Sequence, residues 1–184
     1  MRVLDVIDIV TKDLRAELAY AFRDENPRVR DSALGLAERL NNAEVERVLL
    51  ECIESETGET AAGAIKCLGR LKRAGSVDRL YSVLKSTKEE SCLIACCHAL
   101  GQIGHPAGID ALENILRPKG FLMWKKKYSD EVRANAAFAL REINDPRASG
   151  ILQGCAQDPD QRVREIARSV LVSTGTPLSN GSGD

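Results

Sequence analysis

The chain has 184 residues, 43% hydrophobic and 29% charged, enough for one domain with a sizeable core and too apolar for a disordered protein. Its 26 basic and 27 acidic side chains leave a formal charge of −1, which speaks against a protein coated in nucleic acid. Aromatic residues are only 4%, so the core is aliphatic, and no apolar run reaches the roughly 18 residues of a membrane-spanning helix.

Residues 1–23 read as a helix pair that closes the N-terminal end. Val3, Ile7 and Val10, then Leu14, Leu18 and Ala21, fall on inward faces. Asp5 and Asp8 break the first apolar stretch and no small-residue cleavage site follows, so a secretory leader is not expected.

From Asn26 onward the sequence repeats itself. Five segments begin near residues 26, 57, 89, 129 and 160, and each holds a small residue at one recurrent position: Ala33, Ala64, Cys96, Ala136 and Ala167. Four residues earlier stand Val29, Thr60, Cys92, Val132 and Val163; four later stand Ala37, Leu68, Leu100, Leu140 and Leu171. Leu40, Leu71, Ile103 and Ile143 extend the series, and this spacing makes one buried helical stripe per segment. A second helical pattern follows each of the first four: Val45, Val48, Leu49 and Cys52; Val77, Leu80, Val83 and Leu84; Ile109, Leu112, Ile115 and Leu116; and the shorter Ile151, Leu152 and Cys155. Asn26-Pro27, His105-Pro106, Asp145-Pro146 and Asp158-Pro159 place proline after a capping residue, which suits a helix start. Gly58, Gly75, Gly104 and Gly175 stand where helices are expected to stop.

One hairpin cannot bury its own apolar face, whereas several stacked side by side make one continuous core. The expected fold is therefore all-α: a right-handed α-solenoid of stacked helical hairpins over residues 1–175, with a flexible tail at 176–184. The last repeat supplies only its first helix, which either caps the stack or is covered by a partner or by self-association.

These residues resemble the HEAT-repeat family, in particular the short bacterial HEAT-like repeats related to those of phycobilisome lyases. The resemblance lies in Val29-Arg30, Val132-Arg133 and Val163-Arg164, in Ala99-Leu100-Gly101 with its variant Cys67-Leu68-Gly69, and in Asp145-Pro146-Arg147-Ala148. It implies a protein-binding surface. By resemblance alone it also admits a bilin-lyase-like or other accessory enzyme. Iron-binding hydroxylases of the family carry repeated His-Glu pairs, which this chain lacks.

One interval is longer than the rest. The spacing from Cys96 to Ala136 carries an insertion at 117–128, RPKGFLMWKKKY, with five cations (Arg117, Lys119, Lys125, Lys126, Lys127) and three of the chain's seven aromatics (Phe121, Trp124, Tyr128). Trp, Tyr and Arg often dominate binding energy, so this loop is a candidate anchor for an acidic protein surface. An anionic membrane or a single-stranded nucleic acid is the alternative. A second candidate surface is the polar face of the second helices, expected on the concave side: Glu44, Arg47, Glu51, Asp78, Tyr81, Ser82, Lys85, Asp110, Glu113, Asn114 and Gln153. Gly150 and Gly154 thin out its end.

Catalytic chemistry is sparse. His105 sits in a turn and His98 follows Cys96-Cys97, but Cys92 and Cys96 take stripe positions and behave as small hydrophobes. No second ligand cluster completes a zinc site, and no phosphate-binding loop or nucleophile elbow is present. Arg30, Arg133 and Arg164 are expected to form a ladder to turn acids such as Asp31, Asp130 or Asp158. Six cysteines without a CxxC pair fit reduced thiols in the cytoplasm. The reading is a non-enzymatic scaffold or adaptor without a cofactor.

Overall fold

The computed structural model describes residues 16–117 and 128–174, and among them there is no β-strand. Helix α1 covers residues 16–21 of the described chain. It is followed by α2 (Pro27–Leu40), α3 (Ala43–Ser55), α4 (Gly58–Arg70), α5 (Val77–Ser86), α6 (Glu90–Ile103), α7 (Ile109–Leu116), α8 (Asp130–Ile143), α9 (Pro146–Gln153) and α10 (Gln161–Thr174). Short 3-10 turns at Ala74–Ser76 and Pro106–Gly108 lead into α5 and α7. The result is an all-α solenoid of helical hairpins. The calls on Val3, Ile7, Val10, Leu14, Gly175 and the 176–184 tail lie outside the described residues.

Caps set the helix starts. Asn26 Oδ1 accepts from Arg28 N–H at 3.0 Å, Asp145 Oδ1 from Arg147 N–H at 2.8 Å, and His105 Nδ1 from Ala107 N–H at 3.2 Å. His105 is thus a turn cap. The stops differ from expectation. Gly104 ends α6 with φ 69°, but Asn41 and Asn144 end α2 and α8 in the left-handed region with φ 41° and 53°. Asparagine tolerates that conformation because its short amide side chain bonds locally. Gly58, expected as a stop, instead opens α4 with φ 59°.

The recurrent positions Ala33, Ala64, Cys96, Ala136 and Ala167 are all buried, as are Ala37, Leu68, Leu100 and Leu140. Val29 is 37% exposed, and Leu40, Thr60, Leu71 and Ile103 are half-buried. Leu18 and Phe22 close the core at the N-terminal side.

First helices pack directly on one another, α2 on α4, α4 on α6, α6 on α8 and α8 on α10, and each second helix packs on the next first helix. A close backbone approach lies at two glycines, five residues after the recurrent position. A Cβ added to Gly69 would lie 2.7 Å from Ala99 Cα, and one added to Gly101 would lie 3.0 Å from Ala139 Cα. Backbones meet there because neither side of the contact has a bulky side chain. The corresponding residues at the outer contacts are Glu38 on α2 and Arg141 on α8, and those contacts are looser. Second helices touch each other sparsely. The first helices thus form the tightly packed layer of the stack and the second helices the looser one.

The flank of α10 turned away from α8 carries exposed Glu165 and Arg168, where α8 presents buried Ala134 and Ala137. Charged residues there leave α10 with a solvated outer edge.

Gly69→Val is expected to push α4 off α6 and cost about 1–3 kcal/mol in urea unfolding through overpacking. Gly150→Ala, whose Cβ meets nothing within 4 Å, is expected to leave stability unchanged or raise it by up to about 1 kcal/mol through helix propensity. Equal unfolding midpoints for the two variants would contradict the close approach.

Candidate partner-binding surfaces

The second-helix face is a polar surface tied by local pairs. Glu44 pairs with Arg47 at 3.5 Å one turn away, and Glu51 is half-buried beside them. On α5, Asp78 and Ser82 are exposed, and Lys85 Nζ sits 3.9 Å from the ring centroid of half-buried Tyr81. On α7, Asp110 pairs with Arg147 of α9 at 2.6 Å, Glu113 with Arg117 at 2.5 Å, and Asn114 Nδ2 donates to the Asp110 carbonyl at 2.7 Å. Gln153 is exposed on α9. The predicted residues therefore share one side of the stack, but Asp110 and Glu113 are already engaged.

A cleft of about 430 Å³ opens between α7 and the end of α9. Leu116, Ile151 and Cys155 line it, Glu113 and Arg117 edge it, and Gly150 and Gly154 leave its wall low. Sequence reasoning named the two glycines but could not see the cleft, which depends on the spacing of two helices.

Of the insertion, Arg117 is exposed and Tyr128 is half-buried, packed against the core. Lys119, Phe121, Trp124, Lys125, Lys126 and Lys127 lie outside the described residues.

The arginine ladder is realised in part. Arg133 Nη1 donates to Asp158 Oδ1 at 2.9 Å and its Nη2 donates to Oδ2, a bidentate pair with side chains only 7% and 8% exposed. Asp130 lies 3.5 Å from the same guanidinium. Burial pulls the Arg133 guanidinium down, but the hydrogen bonds and charges of Asp158 and Asp130 outweigh it and hold the group firmly protonated. Arg30 and Arg164 do something else. Arg30 donates to the carbonyls of Asp24 and Glu25 at 2.8 and 3.1 Å, and Arg164 to those of Asp158 and Pro159 at 2.7 and 2.9 Å. They satisfy carbonyls of the preceding turn rather than acids. On the surface, Arg162 holds the Glu131 carboxyl below the usual range by hydrogen bonding and charge.

The cysteines are structural. Cys52, Cys67, Cys92, Cys96 and Cys97 are buried and free, and Cys155 is half-buried and free. Burial pushes the Cys52 thiol up to about 11 and those of Cys67 and Cys97 to about 12, so none is a nucleophile near neutrality. Among the described residues no cluster of three His, Cys, Asp or Glu side chains is arranged to hold a metal, and no helix is long and apolar enough to cross a membrane. His98 faces out of α6, away from the buried thiols beside it.

A family model of HEAT repeats matches residues 45–120 and 122–179. Among solved structures, an engineered protein studied by the Northeast Structural Genomics Consortium is similar at a TM-score of 0.52 and 16% identity, over 89% of this chain and 85% of that one. This likeness concerns the fold. Human deoxyhypusine hydroxylase in complex with glycerol is similar at a TM-score of 0.39 and 14% identity, over 94% of this chain and 100% of that one. No curated protein matches the chain.

Asp158→Ala leaves a charged arginine buried without its partner and is expected to cost about 3–5 kcal/mol in urea unfolding; a loss below 1 kcal/mol would contradict the pairing. The five buried thiols are expected to resist a disulfide reagent at pH 8 until the chain unfolds. Their folded pKa values lie above the ordinary value of 9.0. The unfolded chain therefore releases thiol protons first, and stability is expected to fall as pH rises from about 9 toward 12. Thermal melts across that range check the sign, and a rise in melting temperature would contradict it.

Proposed function

The chain belongs to the HEAT-repeat family, and from that premise we propose that it is a non-enzymatic protein-binding scaffold. Solenoids of this kind expose long, rigid, ridged surfaces on which a partner can lie across several repeats. The observation that carries the reading is the α7–α9 cleft, with its apolar floor, charged edges and low glycine wall. A cleft of that shape accommodates a partner segment that seats an apolar side chain on Leu116 and Ile151 and keeps its polar side toward Glu113 and Arg117.

The cleft adjoins Arg117, where the basic and aromatic stretch begins. In this reading Phe121 and Trp124 supply further anchors, and Lys119 with Lys125–Lys127 supplies charge for an acidic partner surface. A protein partner is preferred over phosphate-rich ones because the rest of the chain carries a net charge of −6. The exposed Glu165 and Arg168 on α10 disfavour self-association through that helix. A cytoplasmic setting accords with six free thiols.

Two variants test the proposal: Trp124→Ala combined with serine at Lys125–Lys127, and separately Gly150→Arg, which fills the cleft. Each is expected to lower the affinity of a partner recovered by affinity capture about ten-fold, with an unchanged melting temperature. Unchanged affinity in both would overturn the assignment of this surface. Binding to anionic vesicles or oligonucleotides that falls steeply with salt would replace the protein partner with a phosphate-rich one.

A further inference from the structure

Among the described residues, α2 alone of the first helices has no other first helix on its upstream side. α4 packs on α2, α6 on α4, α8 on α6 and α10 on α8. Cys67, Ala99, Ala139 and Val170 share one place in the repeat and are all buried. That place faces the preceding first helix, because the close approaches of Gly69 and Gly101 fall on Ala99 and Ala139. Leu36 holds the same place on α2 and is only half-buried. Val29, at the place of buried Cys92, Val132 and Val163, is exposed. Beside them Arg39 is exposed and has no carboxylate partner among the described residues.

We propose that residues 1–10 of this chain lie along that edge of α2, as the first helix of a further hairpin, with Asp8 paired to Arg39. The inference is independent of the scaffold reading and of the α7–α9 cleft.

Two observations select this occupant. The first is the character of α1. Leu18 and Phe22 are buried and stand 31 residues before Leu49 and Ile53, the buried pair of α3. α1 therefore occupies the place of a second helix, and the segment that leads into it is residues 1–15. The second is register. Val3, Ile7 and Val10 have the four-then-three spacing of Ala33, Ala37 and Leu40. Set in those places, they turn one apolar stripe toward the core. A shift of one residue in either direction would bury Arg2 or Asp8 in that stripe. Ten helical residues span about 15 Å, enough to cover Leu36 and reach Arg39.

The same register matches the charges. Arg70 on α4 reaches back across adjacent first helices to Glu38 on α2 at 2.5 Å. Arg39 stands at the place of Arg70, and Asp8 falls at the place of Glu38. A second copy of the chain suits the edge less well, because α10 turns the exposed charges of Glu165 and Arg168 toward it in an end-to-end stack.

Hydrogen exchange and thermal melts of the full chain test the inference. Amides of residues 5–10 are expected to exchange at least about 100-fold more slowly than in an unstructured peptide. Ile7→Asp is expected to abolish that protection while α4, α6 and α8 keep theirs. Asp8→Arg and Arg39→Glu are each expected to lower the melting temperature by about 2–4 °C, and the double swap to recover most of the loss. The swap decides the matter by itself if Ile7→Asp fails to fold. The inference is overturned if residues 5–10 exchange like an unstructured peptide, or if the double swap melts no higher than the sum of its single losses. It is also overturned if sedimentation shows that the chain self-associates and Leu36→Glu makes it monomeric, which would assign the edge to a second copy.

Discussion

The contact of one backbone on another between α4, α6 and α8 governs the molecule. A Cβ on Gly69 would lie 2.7 Å from Ala99 Cα, closer than real side chains come, and one on Gly101 would lie 3.0 Å from Ala139 Cα, so tight that a neighbour would have to shift. Helices brought this close gain dispersion contacts along their whole length and exclude water from the seam. The second helices have no such seam and stand apart. The looser layer leaves a cleft between α7 and the end of α9. The tight first-helix layer thus follows from where two glycines fall in the repeat.

Polar groups finish what the aliphatic core begins. The three Val-Arg pairs look equivalent in sequence, yet their arginines divide between two tasks. Arg30 and Arg164 reach back to carbonyls of the preceding turn, and Arg133 reaches forward to Asp158. Asp158 also accepts from the Asp160 N–H at 2.9 Å, and its carbonyl receives Arg164. One turn residue therefore joins α8 to α10 through three groups. Arg133 is the member that follows the long insertion, whereas Arg30 and Arg164 each follow a short turn whose carbonyls lie within reach.

The two faces differ in chemistry. The second-helix face pairs most of its charges internally and offers an apolar recess. On the first-helix face the half-exposed Phe138 ring is stacked by His98 and lies against the Arg141 guanidinium. Between them the thiols of α4 and α6 act only as packing atoms, because burial keeps them protonated.

Much of the fold was legible in the sequence. The 3.6-residue period, the recurrent small residue and the Asn-Pro and Asp-Pro caps are local signals, and hydrophobic burial obeys them wherever a continuous core forms. The family resemblance rests on the same residues. Helix stops at Asn41 and Asn144 were less legible, since asparagine enters the left-handed region only by preference, whereas glycine does so without strain. The close approach at Gly69 and Gly101, the cleft between α7 and α9, the partner chosen by each arginine and the Phe138 cluster were decided by tertiary structure alone. Each depends on distances between residues some thirty positions apart, and a periodic sequence marks which residues face inward without recording how closely neighbouring repeats approach.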